Sequence, residues 1–388
     1  MYQPLKGIRI LDLSRLAPGP YLTQLLADLG AEVIKVETPT AGDYARHAPA
    51  SMGWGKTFEM INQGKKSIAI NYRNARGREV FLRLVATADV VLEGFRPGTV
   101  ERLKIDYESL RVIKPDIIFC ALSGYGQDGP YRSRAGHDLN YTAISGALSL
   151  NANAGKPPVP YGLTVADLSG AMLAGFAILS ALVGRQRNGE GAYLDMALFD
   201  GILSWMTPQA GAAFFSGLPV AGGTLALHGG LACYNIYETA DGKYLTLGAL
   251  EPTFWSDFCK IIGRNDLLSR QFDRTVKEDV AVIFKQRPLA EWLDAFSATD
   301  GCVEPILSFE EMLSHPQVRA RGFVREENGQ PVGLNTPFVF ARGTQRSVPG
   351  LGEHTTAILK DILSDQELEE LTSKGIIGGP ERKQKRPL

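Results

Sequence analysis

The chain has 388 residues, 41 Lys plus Arg against 42 Asp plus Glu, and 44% hydrophobic residues. That make-up belongs to a globular protein and excludes fibrous, disordered and disulfide-stapled classes. A net charge of −1 supplies no field for a nucleic-acid backbone, and like charges gather only in a short basic tail at Arg382, Lys383, Lys385 and Arg386.

Near the start, Ile8 to Leu13 forms an apolar run, followed by the loop Ala17-Pro-Gly-Pro20, an amphipathic stretch Tyr21 to Leu29, Gly30, and a second run Glu32 to Val36. This order predicts a βαβ unit. The alternation continues with one helical face made of Val80, Phe81, Leu84, Val85 and Ala88, then Val90 to Leu92, Ser109 to Ile113 and Ile117 to Leu122. Strands alternating with helices predict an α/β fold whose parallel sheet is covered on both faces. No GxGxxG follows the first strand, so the layout is Rossmann-like without the dinucleotide fingerprint.

The apolar stretch Leu168 to Gly184 is shorter than the roughly 20 residues a bilayer crossing requires and is interrupted by Ser and Gly, which predicts a core helix and no membrane partner. The N-terminus lacks the charged and apolar regions of a secretory signal, and a cytoplasmic location is expected. Cys120, Cys233, Cys259 and Cys302 show no metal or disulfide spacing.

Length predicts about two domains. A large Rossmann-like domain is expected over 1–205, completed by about 330–388, with a linker over 206–224 and a smaller α+β domain over 225–325. Gly211 to Gly230 has little period and reads as a crossing connection. Beyond it, Tyr234 to Glu238, the Asp241-Gly242 turn and Lys243 to Leu247 read as a hairpin. Helices follow around Pro252 to Ile262, Glu278 to Phe284 and Leu289 to Thr299, and two amphipathic helices around Glu353 to Leu363 and Asp365 to Lys374 close the chain.

Of five histidines, His47, His228, His315 and His354 sit in loop, turn or cap contexts. His137 differs, because it follows the Gly-rich stretch Ser123 to Pro130 that lies beyond a strand end, where open α/β sheets bind ligands. A catalytic and a structural histidine fit that position equally. Asp167 directly precedes Leu168, so it serves either as a helix cap or as a carboxylate whose reactivity is set by burial and the helix dipole. Glu251 follows a predicted strand and precedes Pro252, again at a helix start.

These segments resemble the class III CoA-transferase family, which includes formyl-CoA transferase, carnitine CoA-transferase and α-methylacyl-CoA racemase. The resemblance runs through Leu5 to Leu13, Leu26 to Glu37, Asn62 to Ile68, Glu93 to Gly98, Val165 to Gly170 and Gly189 to Ala197. It implies an interlocked homodimer that binds coenzyme A as part of an acyl-CoA substrate, with no further cofactor and no metal. Asp167 matches the nucleophile of the transferases. Gly-His-Asp-Leu-Asn-Tyr around His137 and Glu-Pro at Glu251 match the racemase branch, where the pair opposes that Asp.

The implied activity is epimerisation of the α-carbon of 2-methylacyl-CoA thioesters by two-base proton transfer through an enolate. The alternative is a CoA-transferase working through a covalent intermediate on Asp167. Opposed bases suit inversion of a weakly acidic carbon, and backbone N–H groups from the loop Ser123 to Gly129 are expected near the thioester oxygen. Lys65, Lys66, Arg96 and Arg102 fall where the resemblance places CoA contacts, and cations of this kind pair with phosphate. Thr38-Pro39 stands where family members often carry an Arg.

Overall fold

The computed structural model describes residues 2–49, 51, 56–217, 219–342 and 347–378. The basic tail at Arg382 to Arg386 lies outside them. The chain divides into two compact units, one of Met1–Ile144, Leu163–Ser204 and Arg321–Leu388, the other of Ser145–Gly162 and Trp205–Ala320.

The first unit is built on six strands, β1 Arg9–Asp12, β2 Glu32–Glu37, β3 Lys66–Ala69, β4 Val90–Glu93, β5 Ile118–Ser123 and β6 Ala192–Ala197. They are ordered β3-β2-β1-β4-β5-β6 and every neighbouring pair is parallel. The chain winds outward from β1 to β3, then returns to place β4 on the other side of β1. That reversal leaves a crevice at the carboxyl ends of β1 and β4, the position where doubly wound sheets take ligands. The inner strands are mostly apolar, and β4 and β5 are buried throughout, as a sheet covered on both faces requires. β3 and β6, the edge strands, were not anticipated from the sequence. Lys66 and Ser67 dilute one, and polar residues alternate through the other.

Pro18–Asp28 connects β1 to β2 and begins with a proline in its first turn, where the missing N–H costs nothing. Ala75–Val85 starts from Asn74, whose side chain accepts from Arg76 N, and buries Val80, Phe81, Leu84 and Val85 in the main core. The closing helices are Thr355–Leu359 and Asp365–Ser373, which send Leu359, Leu368 and Leu371 into the same core.

The apolar helix is Val165–Asn188, 24 residues and longer than the sequence pattern implied. By length and composition it is long enough to cross a membrane, yet 44% of its apolar window is buried inside the protein. Ala166, Ala171, Ala174 and Ile178 face inward, while Met172, Phe176 and Val183 form an exposed apolar stripe. Its packing on the helix Leu198–Ser204 is backbone against backbone. A Cβ on Gly201 would sit 2.5 Å from Gly170 N, and one on Gly170 would sit 2.7 Å from Leu198 Cα.

In the second unit, β7 Tyr234–Glu238, β8 Tyr244–Gly248 and β9 Val303–Pro305 form an antiparallel sheet in the order β7-β8-β9. Gly242 turns the hairpin with φ of +73°, a conformation that favours glycine. Helices Pro252–Ile261, Lys277–Phe284 and Leu289–Phe296 pack on it around Trp255, Phe258, Phe284 and Trp292. Two features differ from the expected organisation. The segment 145–162 belongs to this unit, and the expected linker 206–224 contains the helix Thr207–Ser216, none of whose residues is buried. An apolar helix lacking a polar face carries no 3.6-residue signal, which is why the sequence pattern hid it.

Replacing Gly201 by Ala drives a methyl group into main-chain atoms that have no rotamer to retreat into. The expected cost is about 1–3 kcal/mol, as for other overpacked interiors. Urea denaturation would measure it, and an unchanged midpoint would show that the helix pair separates without penalty.

Candidate active site

Beneath the crevice lies a buried ionic cluster. Asp12, the last residue of β1, is fully buried. It accepts hydrogen bonds from Ser14 N and Oγ and from Thr23 Oγ1, the last at 2.6 Å. Lys35 on β2 donates to the Ser14 carbonyl at 2.9 Å and pairs with Asp43 at 2.8 Å. Burial alone would depress Lys35, but the carboxylates of Asp12, Asp43 and Glu37 hold it above its ordinary value. In Asp12, likewise, burial is outweighed by Lys35 and Lys65, and the carboxyl sits below its usual range.

Lys65, expected from the sequence at a CoA phosphate, belongs to this cluster. Its ammonium donates to Pro20 O, Thr23 Oγ1 and Asn62 Oδ1 at 2.7–2.8 Å, with Asp12 at 3.5 Å. Burial pulls it below its ordinary value. With its three protons directed at protein oxygens, Lys65 is a structural cation here.

The cluster shapes the turn after β1. Asp43 Oδ1 accepts from Leu16 N at 3.1 Å and holds Leu16 at φ of +62°, an uncommon conformation for a side chain of that size. Ser14 to Gly19 thus forms one wall of a cavity of about 430 Å³. Gly94 to Pro97 after β4 and Leu122 to Tyr125 after β5 form others. Arg15, Arg96, Arg132 and Arg134 give it a cationic lining. Arg15 was missed in the sequence; it lies over the rings of Tyr44 and Phe95 at 5.2 and 5.3 Å and donates to the hydroxyls of Tyr44 and Tyr72.

His137 and Asp167 line this same cavity. The helix Asp138–Ile144 begins just after His137, whose N–H donates to Asn140 Oδ1 at 3.0 Å and whose carbonyl accepts from Asn140 N. The histidine backbone makes the local turn, and its exposed imidazole is left to the cavity.

Asp167 occupies the first turn of Val165–Asn188 but is not its cap. That task falls to Asp138, whose Oδ1 accepts from Ala166 N at 2.7 Å and from Asp167 N at 3.1 Å. Asp138 therefore caps a helix other than its own, a role with no local signature along the chain beyond its place next to His137. Burial first, and then the Asp138 charge, push the Asp167 carboxyl up to about 7. At neutral pH it is present in both protonation states.

Glu93 at the end of β4 is also buried; it accepts from Phe95 N at 2.6 Å and so fixes the turn leading to Arg96. Burial, with smaller contributions from Glu101 and Asp195, raises it to about 8.

The other expected residues are dispersed. Lys66 pairs with Glu32, and Arg102 is exposed with a contact to Thr99 Oγ1 at 3.2 Å; neither lines the cavity. The Thr38 carbonyl accepts from Gly42 N. In the loop after β5, Gly126 N donates to Ser123 Oγ and Gln127 N to Asp195 Oδ2, so these two amides are spent within the protein. Glu251 lies in the second unit as N-cap of Pro252–Ile261, and its side chain makes no cap hydrogen bond. The second Glu-Pro, Glu304-Pro305, lies in β9 and starts no helix. Among the described residues no group of three or more His, Cys, Asp or Glu is placed to hold a metal ion.

A model of CoA-transferase family III matches residues 5–355. The chain belongs to that family. Its relatives divide between the two chemistries. Alpha-methylacyl-CoA racemase of Homo sapiens is 34% identical, over 96% of this chain and 97% of the relative. Succinyl-CoA:glutarate CoA-transferase of Mus musculus is 35% identical, over 98% and 92%. Among solved structures, a CAIB/BAIF family protein from Brucella suis superposes with a TM-score of 0.79 at 31% identity, covering 93% of this chain and 100% of that one. The protein is thus a family III enzyme of the acyl-CoA transferase and racemase type, with the parallel α/β architecture of its relatives.

Two titrations test the electrostatics. In Asp138→Asn the cap oxygen remains but the charge is gone, so a ¹³C-detected titration of the Asp167 carboxyl should move to lower pH; an unmoved titration would remove Asp138 as a cause. For Glu93 the folded protein keeps a proton up to about pH 8, whereas the unfolded chain releases it near the ordinary value of 4.5. The native state binds more protons across that window, so stability falls as pH rises through it. Glu93→Gln lacks the titration and should gain stability relative to the parent between pH 5 and pH 9, read from urea midpoints. A constant difference would place the Glu93 titration elsewhere.

Proposed function

We propose that this enzyme epimerises the α-carbon of 2-methylacyl-CoA thioesters. The observation that carries the reading is His137 and Asp167 on one cavity, with Asp167 raised to about 7. A residue that gives a proton in one direction and takes one in the other must populate both states at working pH. One of the pair removes the α-hydrogen as a proton, the C–H electrons move into the thioester as an enolate, and the other returns a proton to the opposite face of the same carbon. Glu251, uncommitted to its own helix cap, assists His137 in this reading.

Arg96, with Arg15, Arg132 and Arg134 beside it, is suited to the phosphates of CoA, and Lys66 and Arg102 remain candidates for its outer contacts. A homodimer is supported by the stripe of Met172, Phe176 and Val183, too apolar to suit permanent exposure. The second reading is transfer of CoA between carboxylic acids through Asp167. It is favoured by the transferase relative, which is as similar as the racemase. A nucleophilic carboxylate must be ionised, and a carboxyl raised to about 7 is so in part at neutral pH.

Proton NMR of the enzyme in deuterium oxide with a 2-methylacyl-CoA should show loss of the α-hydrogen signal without an acceptor acid. His137→Ala and Asp167→Asn should each slow that loss at least about 100-fold, the usual scale for a lost acid or base. CoA appearing on added succinate or oxalate instead, with His137→Ala active, would establish the transferase.

A further inference from the structure

Glu251 needs a fixed place, and the chain around it does not obtain one from the sheet. β8 ends at Gly248, and Glu251 opens the helix Pro252–Ile261, leaving Ala249 and Leu250 between the two elements. Ala249 is fully buried, and a carbonyl buried without a partner there would be costly. Gln271, 20 residues beyond Glu251 and itself buried, satisfies both: its Nε2 donates to Ala249 O at 3.0 Å and to Leu250 O at 2.8 Å. Two carbonyls facing one atom require the nitrogen there, so the amide has a single orientation. On the other side Gly248 N donates to Cys302 O at 2.9 Å. Cys302 is held at φ of +52°, an uncommon backbone conformation outside glycine.

We propose that Gln271 is a positioning residue for Glu251, fixing through the two preceding carbonyls the direction in which the carboxylate leaves the sheet. This rests on the proposed role of Glu251 as partner of His137. The glutamine touches no reacting atom; its effect passes through the peptide units of Ala249 and Leu250, the second of which is joined directly to Glu251. Loss of both donors frees that segment to rotate while leaving the apolar face of the helix, Trp255 and Phe258, packed in the core.

The test uses the full chain and the α-hydrogen exchange assay. Gln271→Met keeps the volume and removes both donors; Gln271→Glu keeps an amide-shaped group without the N–H pair. Trp292→Phe serves as control, since it removes another buried side-chain bond of the same unit, Nε1 to Phe284 O at 2.8 Å, far in sequence from Glu251. The expected result is a fall in kcat of about tenfold for both Gln271 variants with KM for the acyl-CoA unchanged, and a displaced pH profile. Trp292→Phe should lose comparable thermal stability and keep kcat. Equal kcat losses in the Gln271 and Trp292 variants would overturn the proposal, because general destabilisation would then explain both. Glu251→Gln separates the two levels of inference. If that variant is slow and Gln271→Met is not, the positioning role fails alone. If Glu251→Gln exchanges at the parental rate, the role of Glu251 fails and the positioning role falls with it.

Discussion

The crevice depends on charges that never meet solvent. Asp12 and Lys35 lie in β1 and β2, Asp43 and Lys65 in the connection from β2 to β3, and each is tied to an uncharged protein atom as well as to an opposite charge. Removing one partner of a buried ion pair costs about 3–5 kcal/mol because the other is left uncompensated. The arrangement therefore specifies the backbone more than it stabilises the fold. It forces Leu16 into the left-handed region and keeps the turn after β1 open at the point where the strand order reverses. A hydrophobic replacement of equal volume would fill the sheet equally well and leave that turn undirected.

From this base the electrostatics of the site follow in sequence. Arginines gather on the loops after β1, β4 and β5, where the sheet ends, while the carboxyl raised to about 7 sits in the first turn of a mostly apolar helix. Cations and a half-ionised acid thus share one cavity without cancelling, since the arginines stay near water and the acid is partly withdrawn from it. A thioester bearing a phosphorylated carrier has the same division, with charge at one end and an apolar, weakly acidic carbon at the other.

How much of this was legible depended on how far each residue's task was local. The four inner strands and the helices Ala75–Val85, Pro252–Ile261 and Lys277–Phe284 announce themselves because burial on one face or two leaves a period in the sequence. β3 and β6 do not, since an edge strand is paid attention by only one neighbour and its polar residues blur the pattern. His137 and Asp167, which share the cavity, stood out from their neighbours along the chain. Asp138, Glu93 and Arg15 did not, because their partners are the amides of Ala166 and Asp167, the burial of β4, and the rings of Tyr44 and Phe95. Lys65 misled for the converse reason: a lysine in a family-like segment looks the same whether its ammonium faces a phosphate or the underside of a sheet.

The crossed cap of Asp138 has a mechanical meaning as well. One carboxylate oxygen fastens the start of the helix that carries Asp167 to the first residue of the short helix that follows His137, and the glycine contact between Gly170 and Gly201 clamps the same long helix a turn further on. The backbone beside the acid and the backbone beside the imidazole are therefore joined through a single side chain. Access to the cavity is bounded by the loops after β1, β4 and β5, whereas the backbones next to the two groups are joined by the cap, so access and alignment are set by different parts of the molecule.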